Sequence, residues 1–238
     1  GSKGEKRANM RQCESTEGYK YCFMVPSTFL IFRRNGCVFA SGNTGKSLSC
    51  LWAVDYLRKL KPGLKVLVVA PLSTLESTWA AEIFQHFLHL QSTVLHGSRQ
   101  RRLRLLNAEA DIYLINHDGV KVIKDQLVTK KFDIVIVDEI AAFRNARTDR
   151  WKALNAVTTK ADRVWGLTGT PTPNEPTDAY GQCKLLVPQN VPPYFGAFQR
   201  MTMKKSGPFD WKPKPEATDI VTRAMQPAIR YTRDQCVD

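Results

Sequence analysis

The sequence has no apolar run long enough to cross a bilayer. Its longest apolar stretch, residues 21–32, is interrupted by Pro26, Ser27 and Thr28, whereas a membrane-spanning helix needs about 20 apolar residues. The basic start has no apolar signal core, and the initial Gly-Ser resembles a cloning scar. We therefore expect no membrane segment and no export, and we place the protein in the cytoplasm.

Cysteine and histidine patterns typical of metal sites are also lacking. The six cysteines include no C-x-x-C pair and no spacing typical of a zinc site or a disulfide scaffold. His86 and His89 could share a helix face, but no further ligands follow in order. We expect reduced thiols and no structural metal. The sequence also has no internal repeat and no low-complexity segment.

Acidic residues are scarce relative to basic ones. The 238 residues contain 35 Lys and Arg against 22 Asp and Glu, which gives a net charge of +13. An excess of this size favours a polyanionic partner, with nucleic acid as the leading candidate. The alternatives are a basic surface that only aids solubility and a chain separated from an acidic partner domain. The length suits one large domain with a small appendage.

Apolar runs alternate with amphipathic segments along most of the chain. Strands rich in β-branched residues are predicted at 65–70, 111–116, 133–138 and 163–167, and shorter strands at 37–40 and 93–95. Helices are predicted at 28–32, 46–60, 98–109, 120–127, 148–157 and 216–225, and from a capping box of Ser73 and Glu76 onward. This alternation predicts an α/β fold of three layers, with a mainly parallel central sheet and helices on both faces.

The segment between the first strand and the helix at 46–60 has the residues of a phosphate-binding loop. Bound phosphate would meet backbone N–H groups, the positive end of the helix dipole, the Lys46 ammonium and a Ser47 hydroxyl that can ligate Mg²⁺. The strict pattern has Gly at its first position, where this chain has Ala40. A coincidental turn is the alternative. The predicted loop residues are Gly42, Asn43, Thr44, Gly45, Lys46 and Ser47.

Two adjacent carboxylates, Asp138 and Glu139, follow the apolar strand 134–137. One carboxylate can hold Mg²⁺, usually through its water shell, while the other polarises the water that attacks the γ-phosphorus. The alternative is a strand-end turn with solvated acids. Because ligands of open α/β sheets bind at the carboxyl ends of strands, we expect Lys46, these acids and residues 168–170 to converge.

Several motifs together resemble the Swi/Snf-type branch of the superfamily 2 helicase-like ATPases. Residues 137–140 resemble motif II of the superfamily, and residues 167–174 resemble motif III of this branch. Further similarities lie at 40–47, 69–73, 143–145, 185–188 and 229–234. The resemblance spans residues 37–238 and covers one RecA-like lobe. It divides the chain into three parts: an N-terminal segment, 1–35, to which the sequence assigns no structure or role; an ATP-binding lobe, 36–190; and a Pro-rich surface segment with a closing helix of the same lobe, 191–238.

The resemblance implies roles for individual residues. Lys46 would bind the β- and γ-phosphates of ATP, Ser47 and Asp138 would hold Mg²⁺, and Glu139 would activate water. Coupling between nucleotide and nucleic acid would fall to Thr168, Gly169 and Thr170. The residues expected along a DNA phosphate backbone are Ser73, Thr74, Asn116, His117 and Asp118.

The family pattern implies an ATP-driven translocase on duplex DNA without sequence preference, located in the cytoplasm or at the nucleoid. A second RecA-like lobe would supply arginine fingers, so the first lobe alone would be nearly inactive. The chain departs from the pattern at Ala40 and Ser41, and it has no Gln between Gln12 and Gln85 to read adenine. Two alternatives are a nucleic-acid-binding module whose P-loop no longer hydrolyses ATP, and a motor lobe of a restriction or repair complex.

Overall fold

The computed structural model describes residues 30–34, 37–41, 46–169, 171–172, 174–207 and 210–228. The chain divides into two units, Lys46–Arg230 and a smaller one made of Gly1–Gly45 and Tyr231–Asp238. In the smaller unit, β1 (Leu30–Arg34) pairs antiparallel with β2 (Cys37–Ser41). A strand at 37–40 is confirmed, but among the described residues it pairs with β1 in a two-stranded sheet and not with the parallel sheet that its predicted role implied.

The helix predicted at 28–32 is wrong, because residues 30–32 belong to β1. The two strands are separated in sequence only by Asn35-Gly36, a dipeptide that favours two-residue hairpins. Apolar residues fill both flanking stretches. Pairing across the hairpin therefore competes successfully with a short local helix.

A five-stranded parallel sheet forms the centre of the larger unit, in the order β4, β5, β3, β6, β7. Every residue of the central strand β3 is fully buried, as expected for a strand covered on both faces. The four longer strands confirm the predicted ones to within one residue. Their bounds are β3 Val66–Ala70, β4 Ser92–Val94, β5 Ile112–Asn116, β6 Ile134–Asp138 and β7 Arg163–Leu167.

Helices follow most of these strands, and none in the described part of the chain has the length and apolar content to span a bilayer. The α-helices are α1 Lys46–Leu60, α2 Leu72–Thr74, α3 Ala81–His86, α4 Arg99–Asn107, α5 Gly119–Val122, α6 Lys124–Lys130, α7 Asp149–Thr158, α8 Ala179–Leu186, α9 Phe195–Thr202 and α10 Ala217–Ala224. A π-helical segment, Leu75–Ala80, joins α2 to α3, and 3-10 turns cover Ile140–Phe143, Pro176–Asp178 and Pro188–Asn190. A small antiparallel hairpin pairs β8 (Met203–Lys205) with β9 (Trp211–Pro213).

Both faces of the sheet are covered by apolar side chains. On one face, Leu67 and Val69 of β3 pack in a cluster with residues of α4 to α7. The alternating residues Val66 and Val68 are equally buried, and successive strand side chains point to opposite faces, so they face the other layer. The three-layer α/β architecture is therefore confirmed.

The predicted capping box of Ser73 and Glu76 is wrong. Helix α2 begins at Leu72 after Pro71, and no side chain caps its first turn. Pro71 has φ −55°, which suits a residue next to a helix start, so the helix begins before Ser73 and places it inside the first turn. The predicted apolar face of this segment is confirmed, since Leu75, Trp79, Ile83 and Phe87 are buried.

The arginine-rich helix α4 has one arginine that serves the fold. Arg102 is only 8% exposed, and its guanidinium donates to the carbonyls of Leu95 and Gly97 and to Oδ1 of Asn116. Burial lowers the pKa of Arg102. Arg99, Arg101 and Arg104 are exposed, so of the four arginines of this helix only these three are open to a nucleic-acid contact.

Candidate nucleotide and nucleic-acid site

The polar residues predicted to act together follow strands that end at one edge of the sheet. The register places Ala70 of β3 beside Asn116 of β5, and Asp138 of β6 beside Leu167 of β7. All these strands are parallel, so their carboxyl ends share this edge. Residues 116–118, 138–139 and 168–169, which are distant in sequence, therefore lie along it.

Asp138 is held by three hydrogen bonds from separate parts of the chain. The indole Nε1 of the fully buried Trp79 donates to Oδ2 at 3.0 Å, and the backbone N–H of Glu139 donates to Oδ1 at 3.0 Å. Nε2 of His117 lies 2.8 Å from the backbone carbonyl oxygen of Asp138. Both carboxylate oxygens thus have a partner, which fixes the plane of the carboxylate at the strand end.

Glu139 has a left-handed backbone with φ 50° and ψ 54°, which is uncommon for a residue with a Cβ and carries strain. Its side chain is exposed. Oε1 of Glu139 accepts a hydrogen bond from the Thr168 hydroxyl at 3.1 Å. This hydrogen bond connects the end of β6 to the end of β7. It joins a residue of the motif II segment to a residue of the motif III segment.

His117 is buried against Asp138 and is not exposed for a contact with nucleic acid. Its ring is 8% exposed and packs edge-on against Phe143 with centroids 4.9 Å apart. Burial lowers the pKa of His117, so the ring is held neutral near physiological pH. Its neighbour Asp118 is exposed and forms ion pairs with Arg150 and Lys121.

Sequence reasoning did not identify Glu82. Its Oε2 is buried and has no hydrogen-bond partner among the described residues. Burial, with the nearby negative charge of Asp138, raises the pKa of Glu82 to about 7. A glutamate within an amphipathic helix gives no signal in sequence that it approaches an acid 56 positions later. Trp79 was likewise predicted only as a core residue.

The residues after Glu139 are braced by helix α8. A Cβ on Gly181 would lie 2.2 Å from the backbone oxygen of Arg144 and 2.5 Å from that of Phe143, so only glycine permits this approach. The indole of Trp151 donates to the Gly181 carbonyl at 2.8 Å. The buried Gln182 donates to the carbonyls of Pro171 and Asp178, which ties α8 to the segment after β7.

Lys46 and Ser47 are the first two residues of α1, and both are partly exposed. Ser73 lies on a groove of about 330 Å³, between the segment 72–77 and β4. The hydroxyl of Thr74 donates to the Pro71 carbonyl at 3.1 Å. Gly42, Asn43, Thr44, Gly45 and Thr170 lie outside the described residues.

Asp138 and Ser47 carry oxygen atoms of the kind that magnesium accepts as ligands. In the described part of the chain, no three or more His, Cys, Asp or Glu side chains group together as a metal site. Mg²⁺ commonly uses one or two protein oxygens and takes its other ligands from water and phosphates. The fixed carboxylate of Asp138 and the hydroxyl of Ser47 are such oxygens.

Residues 10–209 match the SNF2-related domain. The chain belongs to the SNF2-related family. It represents the first lobe of a Swi/Snf-type superfamily 2 helicase-like ATPase, as the motifs implied. Members of this family use ATP.

Two curated relatives illustrate the match. Putative protein p41 of Acyrthosiphon pisum secondary endosymbiont phage 1 is 30% identical over 175 residues, which are 68% of this chain and 37% of the relative. The SWI/SNF-related matrix-associated actin-dependent regulator of chromatin subfamily A-like protein 1 of Xenopus tropicalis is 27% identical over 78% of this chain and 20% of its own length. The chain therefore spans well under half the length of these relatives.

Solved structures share the fold. The Sulfolobus solfataricus SWI2/SNF2 ATPase core in complex with dsDNA matches with a TM-score of 0.59 and 24% identity, over 66% of this chain and 32% of that one. The Sulfolobus solfataricus SWI2/SNF2 ATPase core domain matches with a TM-score of 0.60 and 21% identity, over 81% of this chain and 38% of that one. The predicted RecA-like fold is confirmed.

The bond from Trp79 to Asp138 should be detectable in a double-mutant cycle. Trp79→Phe, Asp138→Ala and the double variant are compared by their free energies of unfolding in denaturant. Hydrogen bonds to charged groups contribute about 1.5–3 kcal/mol, so we expect a coupling energy of that order. Additive effects of the two substitutions, to within about 0.5 kcal/mol, would show that the bond contributes nothing.

Glu82 should make stability depend on pH in metal-free buffer. Its pKa in the folded chain, about 7, lies above the ordinary 4.5, so the folded state keeps a proton that the unfolded state has released. The wild type should therefore lose stability relative to Glu82→Gln as pH rises from 4.5 to 7, with a constant difference above. Glu76→Gln, an exposed change on the same helical segment, is the control and should show no such trend. A flat difference between wild type and Glu82→Gln over this range would contradict the assignment.

Proposed function

We propose that this chain is the ATP-binding lobe of a DNA-dependent ATPase that moves along duplex DNA. The observation that carries the proposal is the hydrogen bond between Glu139 and Thr168. It connects a carboxylate suited to activating water with the segment that would respond to nucleic acid.

In this proposal, Lys46 neutralises the β- and γ-phosphates, and the N-terminus of the 15-residue helix α1 adds its dipole. Ser47 and Asp138 hold Mg²⁺, which supplies counter-charge to the phosphates when bound. The hydrogen bonds from Trp79 and from the Glu139 N–H keep the carboxylate of Asp138 in place before the nucleotide arrives. Such preorganisation avoids the cost of ordering the group during binding.

Glu139 orients the attacking water in this scheme. Its side chain is exposed at the sheet edge and reaches solvent, and its strained backbone is held by the turn Ile140–Phe143. A change in the γ-phosphate that moves this carboxylate would also move the Thr168 hydroxyl. Hydrolysis would thereby reach the segment that follows β7.

Duplex DNA is the proposed partner. The net charge of +13 favours phosphate contacts, which carry no sequence information and suit a translocase. Ser73, Thr74, Asn116 and Asp118 follow β3 and β5 on the sheet edge that also bears the acids. A structural neighbour of this chain is described in complex with dsDNA. The phage relative fits a protein that acts in a bacterial cytoplasm.

The full activity is proposed to need a second RecA-like lobe. The relatives are much longer than this chain, and arginine fingers from a partner lobe contribute roughly 10³ to 10⁵ in rate to phosphoryl transfer. The chain alone should therefore bind MgATP but hydrolyse it slowly.

A calorimetric titration with MgATP tests the nucleotide site. Lys46→Ala should weaken binding at least about tenfold, because a charge-assisted contact of 1.4 kcal/mol or more is lost. Lys59→Ala is the matched control, since Lys59 lies on the same helix but pairs with Asp55. Equal affinity for Lys46→Ala and wild type would contradict the proposal. DNA binding without MgATP binding would favour the alternative of a module with a degenerate P-loop.

A further inference from the structure

The hairpin formed by β8 and β9 concentrates positive charge. Residues 200–215 contain five basic residues and one acidic residue, Asp210. Lys204, Lys205 and Lys212 are exposed, and no ion pair to them occurs among the described residues. Several lysines elsewhere do pair with carboxylates, such as Lys61 with Asp133 and Lys65 with Glu109.

The register makes this charge unfavourable for the hairpin itself. Lys204 lies directly opposite Lys212 in the antiparallel ladder. Like charges at opposed positions destabilise a hairpin, where an oppositely charged pair would contribute roughly 0.2–1 kcal/mol. The repulsion between Lys204 and Lys212 therefore destabilises the hairpin, and a bound anion would reduce it.

The base of the hairpin is firmly anchored, so the lysines project from a fixed position. Thr202 is fully buried and Met203 is 2% exposed. The Thr202 hydroxyl donates to the Phe198 carbonyl at 2.9 Å, and the Lys214 N–H donates to the Thr202 carbonyl at 3.0 Å. Lys204 and Lys212 are directly opposed and project from the same face of the hairpin, whereas Lys205 projects from the other face. The first two lysines can therefore present their charges together to one partner.

Protection of an edge strand is the competing explanation. Lysine and proline on short edge strands prevent pairing with other chains, and this hairpin has both. Edge protection needs charge but does not require two lysines to face one another. Lysine is also a flexible point charge, which suits contacts with phosphates in varied positions.

We propose that the β8–β9 hairpin is a contact surface for the phosphate backbone of duplex DNA, with Lys204 and Lys212 as its charged groups. This inference rests on the proposed function, in which duplex DNA is the polyanionic partner. Phosphate contacts of this kind set affinity and salt dependence but not sequence preference.

The test is the salt dependence of duplex DNA binding by the full 238-residue chain. Each phosphate contact contributes about 0.9 to the slope of log affinity against log salt. The double variant Lys204→Gln, Lys212→Gln should lower the slope by about 2 and weaken binding roughly 10- to 100-fold at 0.1 M salt. Its thermal midpoint should equal or exceed that of wild type, since repulsion within the hairpin is relieved.

A charge-matched control separates this surface from net charge. The variant Lys61→Gln, Lys160→Gln removes two charges near the amino ends of β6 and β7, where Lys61 pairs with Asp133 just before β6. This control should keep the wild-type slope. If the hairpin variant binds DNA with the same affinity and salt slope as the control, the inference is overturned and the proposed function still stands. If that variant also scatters more light, it aggregates, which would identify edge protection as the role of these lysines. If the wild type shows no salt-dependent DNA binding, both the inference and the DNA partner of the proposed function fail.

Discussion

The candidate site depends on the fixed carboxylate of Asp138. Its two oxygens accept hydrogen bonds from the buried indole of Trp79 and from the next backbone N–H, and its carbonyl lies against His117. Trp79 lies in the helical segment that follows β3, and His117 follows β5, so Asp138 has these partners only when the sheet and this helical layer are assembled. Burial lowers the pKa of His117 and, with the charge of Asp138, raises that of Glu82 to about 7, so packing directly affects the electrostatics around this carboxylate.

The central sheet explains why these groups meet. Three parallel strands, β3, β5 and β6, are buried almost throughout, and their common register brings their carboxyl ends to one edge. Helix α8 then holds the turn after β6 by an approach that only Gly181 allows. Apolar burial supplies the stability of this framework, while the polar residues at its edge are left available for a ligand.

Much of the fold could be predicted from sequence because its signals are local. Helix Lys46–Leu60 and strand Arg163–Leu167 have the predicted bounds. The failures involve contacts between distant positions or competing local ones. Residues 30–32 pair with β2 as a strand where a helix was predicted, and Ser73 lies inside the first turn of α2 where a capping box was predicted. Of the site, the motif positions were predictable, but the bond from Trp79 to Asp138, 59 positions apart, leaves no periodic trace.

The central claim is that the start of α1 and the end of β6 serve one nucleotide. The most direct measurement is a crystal structure of the chain with magnesium and a non-hydrolysable ATP analogue. The account predicts one Mg²⁺ near both Asp138 and Ser47, with the Lys46 ammonium within hydrogen-bond distance of the terminal phosphates. A nucleotide bound elsewhere, or bound at Lys46 with Asp138 too distant to reach the metal even through a water, would contradict it.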